Sequence, residues 1–120
     1  MENNENNQSK NLVLVGDSVF DNQVYVDPGQ DSVTKHLRRK LAPLNWTLDM
    51  RAVDGDVVSD VEYQLGNKSV SIPCTFVMSA GGNDALQYLD QIAKLGLMDF
   101  YEIKERFRKS YTQILAEILR

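Results

Sequence analysis

Apolar positions along the chain come in short blocks whose spacing alternates between continuous runs and helical repeats. Leu12 to Val15 form an unbroken, β-branched-rich block, which predicts a central parallel strand buried on both faces. Val33, Leu37 and Leu41 recur every fourth residue, predicting a helix that Asp31 or Ser32 caps and Pro43 ends. Between these two, Val19 to Tyr25 is short enough for a single helical turn before the breaker Asp27-Pro28-Gly29. Trp46 to Arg51 alternates apolar with polar and reads as a second strand at a sheet edge. Val57, Val58, Val61 and Leu65 make one helical face that closes at Gly66.

Past Pro73, Cys74 to Ser79 is apolar almost throughout and predicts a third, internal strand. Asp84 is placed to cap the next helix, with Leu86, Leu89, Ile92 and Ala93 inward and an end near Gly96. Asp99 opens a last helix whose stripe is Ile103, Phe107, Tyr111, Ile114, Leu115 and Ile118. Strand and helix thus alternate three times, which implies a parallel sheet with right-handed crossovers. The expected architecture is α/β: a flavodoxin-like three-layer αβα domain with strand order 2-1-3. That order sets the three strand exits side by side.

Chemistry-bearing residues fall at those exits. The first strand runs into Gly16-Asp17-Ser18, the second is followed by Ala52-Val53-Asp54-Gly55-Asp56, and the third by Gly81-Gly82-Asn83-Asp84. Gly-Asp-Ser, then an isolated Gly, then Gly-x-Asn-Asp, in this order at successive strand exits, resembles the SGNH hydrolases, the GDSL-type lipases and esterases. The phrases GDSVFDN, AVDGDV and GGNDAL carry the likeness, which extends from about Asn11 to Arg120. The resemblance implies a serine ester hydrolase acting on a small-molecule ester, without a cofactor or catalytic metal. Ser18 would be the nucleophile, and an oxyanion hole would form from the N–H of Ser18, the N–H of Gly55 and the amide of Asn83. Gly16, Asp17, Gly81, Gly82 and Asp84 would support these loops, both aspartates through backbone hydrogen bonds.

The pattern lacks a base. The family places an Asp-x-x-His segment near the end of a longer domain, whereas the single histidine, His36, lies within a helix and has Val33 three residues before it. The apolar residues Ile114, Leu115, Ile118 and Leu119 also run to the last position without a helix stop. The chain therefore reads as a truncated, N-terminal part of an SGNH-like domain over residues 11–120, preceded by a polar, disordered tail over residues 1–10. Two other functions fit the same residues: a non-catalytic module that binds an acyl ligand, and an interaction fragment that pairs through the open edge of its third strand. A third, Mg²⁺ held by Asp17, Asp54, Asp56 and Asp84, is disfavoured because no adjacent acidic pair follows the first strand.

Composition narrows the partners. With 120 residues, 42% hydrophobic and 25% charged, one domain with a core is feasible. A net charge of -4 argues against nucleic acid or an anionic membrane surface, and Arg38, Arg39, Lys40, Arg106, Arg108 and Lys109 fall on helices as solvated faces. The start MENNENNQSK has no apolar segment of a secretory signal, and no run approaches a bilayer span, so a cytoplasmic location is expected. Cys74 is the only cysteine, which precludes an intrachain disulfide and suits an inert strand thiol. Self-association, or completion by a C-terminal partner segment, is the expected answer to the open strand edge.

Overall fold

The computed structural model describes residues 10–66, Val70, 73–94 and 97–119. Its elements are β1 (Lys10–Gly16), α1 (Val33–Leu41), β2 (Trp46–Met50), α2 (Val58–Leu65), β3 (Cys74–Ser79), α3 (Gly82–Lys94) and α4 (Leu97–Ile118). The sheet is all parallel in the order β2-β1-β3, as the alternation of patterns predicts. With right-handed crossovers, this order puts α1 and α2 on opposite faces of the sheet. Residues 1–9, expected as a disordered tail, lie outside the described residues, while Lys10 already belongs to β1 and pairs with Trp46.

The core forms on one face of β1. Val13 and Val15 are fully buried against Val58 and Val61 of α2 and Ile114 of α4, and Phe76, Met78, Phe107 and Tyr111 pack around them. Leu14, on the opposite face by strand alternation, is also buried. β1 therefore behaves as the central strand that its continuous apolar run requires.

α1 starts where Ser32 Oγ accepts the N–H of Lys35, the N-cap its sequence position suggests, while the alternative cap Asp31 pairs with Arg39 instead. The helix passes into a 3-10 turn over Ala42–Leu44 that ends at Asn45 in the left-handed region, φ 60°. The predicted turn within Val19 to Tyr25 condenses to a 3-10 turn at Gln23–Tyr25.

Four expectations need correction. β3 is not internal: among the described residues it pairs only with β1, and its side chains alternate between half-buried Cys74, Phe76 and Met78 and exposed Thr75 and Val77. An apolar run announces a strand able to be covered on both faces, but among the described residues only the α2 and α4 side is covered. Next, α3 begins at Gly82, so Asp84 sits in its first turn and not at its N-cap. Finally, α3 stands off α4 across an apolar cleft of about 360 Å³ walled by Ala85, Tyr88, Ile103 and Phe107. Leu86, Leu89 and Ala93, expected inward, are exposed, while the side chain of Ile92 and the expected end at Gly96 lie outside the described residues. α4 keeps its stripe at Ile103, Phe107, Tyr111, Ile114 and Ile118, but Leu115 is 42% exposed.

Candidate functional site

The three loops that carry the sequence motifs leave the carboxyl ends of neighbouring strands, and backbone hydrogen bonds lace them together. The N–H of Asp17 donates to Ser79 O of β3 at 3.1 Å, and the N–H of Val53 donates to Gly16 O at 3.1 Å. Gly16 thus lies between the exits of both neighbours. Its φ is +133°, and a Cβ there would fall 1.9 Å from Ser79 O, so only glycine lets the two strand exits approach this closely.

Ser18 is the second residue of a tight turn in which Asp17 O accepts the N–H groups of Phe20 and Asp21 at 3.1 and 3.0 Å. Asp17 is buried, and its Oδ1 accepts the N–H of Val19 at 3.1 Å, the loop-bracing role predicted for it. The Ser18 side chain is half-buried, and no described residue hydrogen-bonds its Oγ.

Gly55 is flanked by two connections. On one side, the N–H of Asp54 donates to Asp21 Oδ2 of the Ser18 loop at 2.7 Å. On the other, the carbonyl of Asp56 accepts Asn83 Nδ2 at 3.0 Å. Gly55 itself has φ +90° with open space where a Cβ would stand, so its N–H is on an uncrowded turn. The structure therefore draws the Ser18, Gly55 and Asn83 loops into one linked cluster. Gly82, at the start of α3, likewise has open space around it.

Asp84 serves the neighbouring helix. Its Oδ1 accepts the N–H of Val58 at 2.9 Å, so it caps α2 from across the loops, while Asp60 Oδ2 takes the N–H of Val57 at 3.0 Å. Two carboxylates thus satisfy donors at the positive end of α2. Burial holds the carboxyl of Asp84 above the ordinary carboxylate value, and the nearby Asp60 and Asp17 charges push the same way, against the lowering effect of the Val58 bond.

Several site residues carry no motif and escaped sequence reasoning. Tyr25 donates its hydroxyl to both oxygens of Asp54, at 3.0 and 2.9 Å, and this bond to a carboxylate raises the phenol above its usual value. Gln64, on α2, accepts the N–H of Gly16 and donates to Gly16 O, each at 2.7 Å, and donates to Asp56 Oδ2 at 2.8 Å. Arg51, just past β2, donates to the carbonyls of Gln64 and Leu65 at 3.2 and 3.1 Å and pairs with Asp49 at 3.0 Å. The available signal for Gln64 was a polar residue three positions after the buried Val61, on the inward side of an otherwise apolar helical face. Nothing local marked Tyr25.

The carboxylates at the strand ends are engaged with Val19, Asp54, Tyr25, Gln64, Val57 and Val58. Among the described residues, no group of three or more acidic, histidine or cysteine side chains is arranged to hold a metal ion. His36 is exposed on α1 and makes no side-chain bond to the Ser18 turn. Among the described residues no helix is long and apolar enough to cross a membrane.

No protein-family model, curated protein or solved structure matches the chain.

Proposed function

We propose that this chain carries the nucleophile and oxyanion machinery of a serine ester hydrolase of SGNH type. Ser18 Oγ would attack the acyl carbon, and the N–H groups of Ser18 and Gly55 with the Asn83 amide would receive the developing oxyanion. The observation that carries this reading is the double tether of Gly55: its neighbour Asp54 is bonded to the Ser18 loop and its neighbour Asp56 to Asn83. One Asn83 N–H is spent on Asp56, which holds the amide and leaves the second N–H for substrate. The arrangement supplies electrostatic stabilisation without proton transfer, because Ser18 has no base on it among the described residues. Loss of the base from a serine hydrolase costs on the order of 10⁶ in turnover.

A fluorophosphonate probe is therefore expected to label Ser18 slowly but in preference to the other serines, with the label lost in Ser18→Ala. Hydrolysis of short-chain p-nitrophenyl esters should stay near background until a partner segment supplies a base. Failure of folded protein to take label at Ser18 would sink the nucleophile assignment. Brisk turnover that disappears in His36→Ala would instead make His36 the base.

The unactivated Ser18 also suits a second reading, an acyl-binding module without turnover. It is separated from the first by saturable binding of a short-chain ester combined with no covalent label at Ser18.

A further inference from the structure

We propose that Gln64 is a positioning residue that sets the relative placement of all three loops. The inference rests on the serine-hydrolase reading of those loops. β2 ends its pairing with β1 at Met50 opposite Leu14, two residues before the strand exit at Gly16. The N–H and C=O of Gly16 project to the β2 side of the sheet, since the N–H of Val53 reaches that carbonyl. The next N–H, that of Asp17, turns the other way to Ser79 of β3.

At this point, where among the described residues the N–H of Val53 is the one backbone group from the β2 side that still bonds Gly16, the carboxamide of Gln64 supplies the acceptor for the Gly16 N–H and a second donor to Gly16 O. It accepts from Gly16 N and donates to Gly16 O at 2.7 Å each, a two-bond clasp between residues 48 positions apart. A side-chain amide has the same donor and acceptor as a peptide group, so it can extend a sheet ladder where the pairing of the strands ends. The remaining Nε2 proton goes to Asp56 Oδ2 at 2.8 Å, a bond strengthened by the carboxylate charge. Asp56 follows Gly55 and through its carbonyl holds Asn83. One half-buried side chain thus joins the strand exit that precedes Ser18 to the Gly55 turn and, through it, to Asn83.

Gln64 is itself held. Arg51 grips the last carbonyls of α2, at Gln64 and Leu65, and its guanidinium is buried while its partner Asp49 is partly open to solvent. A rigid support of this kind matters because a displacement of about 1 Å between reacting groups can cost about 100-fold in rate.

The test follows the rate of Ser18 phosphonylation at saturating fluorophosphonate, the probe concentration at half-saturation, the melting curve, and hydrogen exchange at the Gly16 amide. Gln64→Leu should keep a cooperative melt, slow phosphonylation about tenfold or more, leave half-saturation nearly unchanged, and speed exchange at Gly16. Gln64→Glu sets a carboxylate against Asp56 and Gly16 O, and should be slowed as well. Adding Asp56→Asn to Gln64→Glu restores a donor between the two side chains and should recover part of the rate. If Gln64→Leu does not fold, this pair of variants decides. Unchanged phosphonylation in Gln64→Leu, or no recovery in the double variant, overturns the positioning role while leaving Ser18 as nucleophile. Absence of any label on Ser18 in the parent protein is the different failure, and it removes the hydrolase reading with this inference.

Discussion

A methyl group at Gly16 has nowhere to go, because the backbone of Ser79 already occupies the space at 1.9 Å. Gly55 is equally left-handed, at φ +90°, yet faces open solvent. Gly16→Ala must part β1 from β3 and is expected to cost about 3 kcal/mol or more, while Gly55→Ala carries backbone strain alone, about 1–2 kcal/mol. Urea unfolding of the two variants measures the difference, and equal losses would contradict it. Asp84 gives a pH signature at the same scale. Because burial raises its folded pKa above the ordinary 3.8, the folded state retains a proton that the unfolded chain has released. The stability from this group is therefore greatest at low pH, falls as pH rises from the ordinary value through the raised one, and is level above it. Asp84→Asn keeps an oxygen for the Val58 N–H and removes the charge, so it should flatten that fall relative to the parent. Asp84→Ala leaves a buried donor unpaired and should lose about 1–3 kcal/mol. A parent curve that matches Asp84→Asn across this range would mean that the carboxyl titrates normally.

At the scale of elements, α2 is the helix to which the strand-exit loops are tied. Its first turn is capped by Asp84 and Asp60, its apolar face buries Val58 and Val61 in the core, and its last turn is gripped by Arg51. Apart from the local bond to Asp60, these connections come from other segments of the chain, so a helix of eight residues is held at both ends by tertiary contacts. Helices this short have little stability of their own. Arg51→Ala removes two bonds from a charged donor and leaves Asp49 without its partner, with an expected loss of about 1.5–3 kcal/mol. Arg51→Lys should recover little of it, because an ammonium cannot reproduce the fork that reaches two carbonyls and a carboxylate together. A lysine variant as stable as the parent in thermal unfolding would show that charge alone suffices. By contrast, the ion pairs Arg106–Glu102 and Arg108–Glu105 on α4 are exposed and contribute little.

For the whole molecule, the uneven cover of the sheet is the dominant feature. One face of β3 packs on the core, while Thr75 and Val77 on the other are exposed and, among the described residues, the outer edge of the strand has no partner. Leu86 and Leu89 add exposed apolar area on the helix that follows. An unpaired strand edge beside apolar surface favours pairing with another chain. Sedimentation velocity is expected to show concentration-dependent association, and Val77→Lys should shift the protein toward monomer by placing a charge on the exposed face. A parent that remains monomeric over the same concentrations would count against this.

The sequence by itself determined the order of strands and helices, the central place of β1 and the positions of the Gly16, Gly55 and Asn83 motifs at strand exits, since periodicity and turn chemistry are local properties. It also carried the support role of Asp17, whose partner Val19 lies two residues away. Only the tertiary structure decided that Asp84 caps α2, that Leu86 and Leu89 face solvent, that Gln64 clasps Gly16 and that Arg51 holds the last turn of α2. Each of these depends on which segment arrives opposite a residue. A side chain whose partner lies 26 or 48 positions away has no signature in its neighbours, because the bond exists only once the sheet has brought the two segments together.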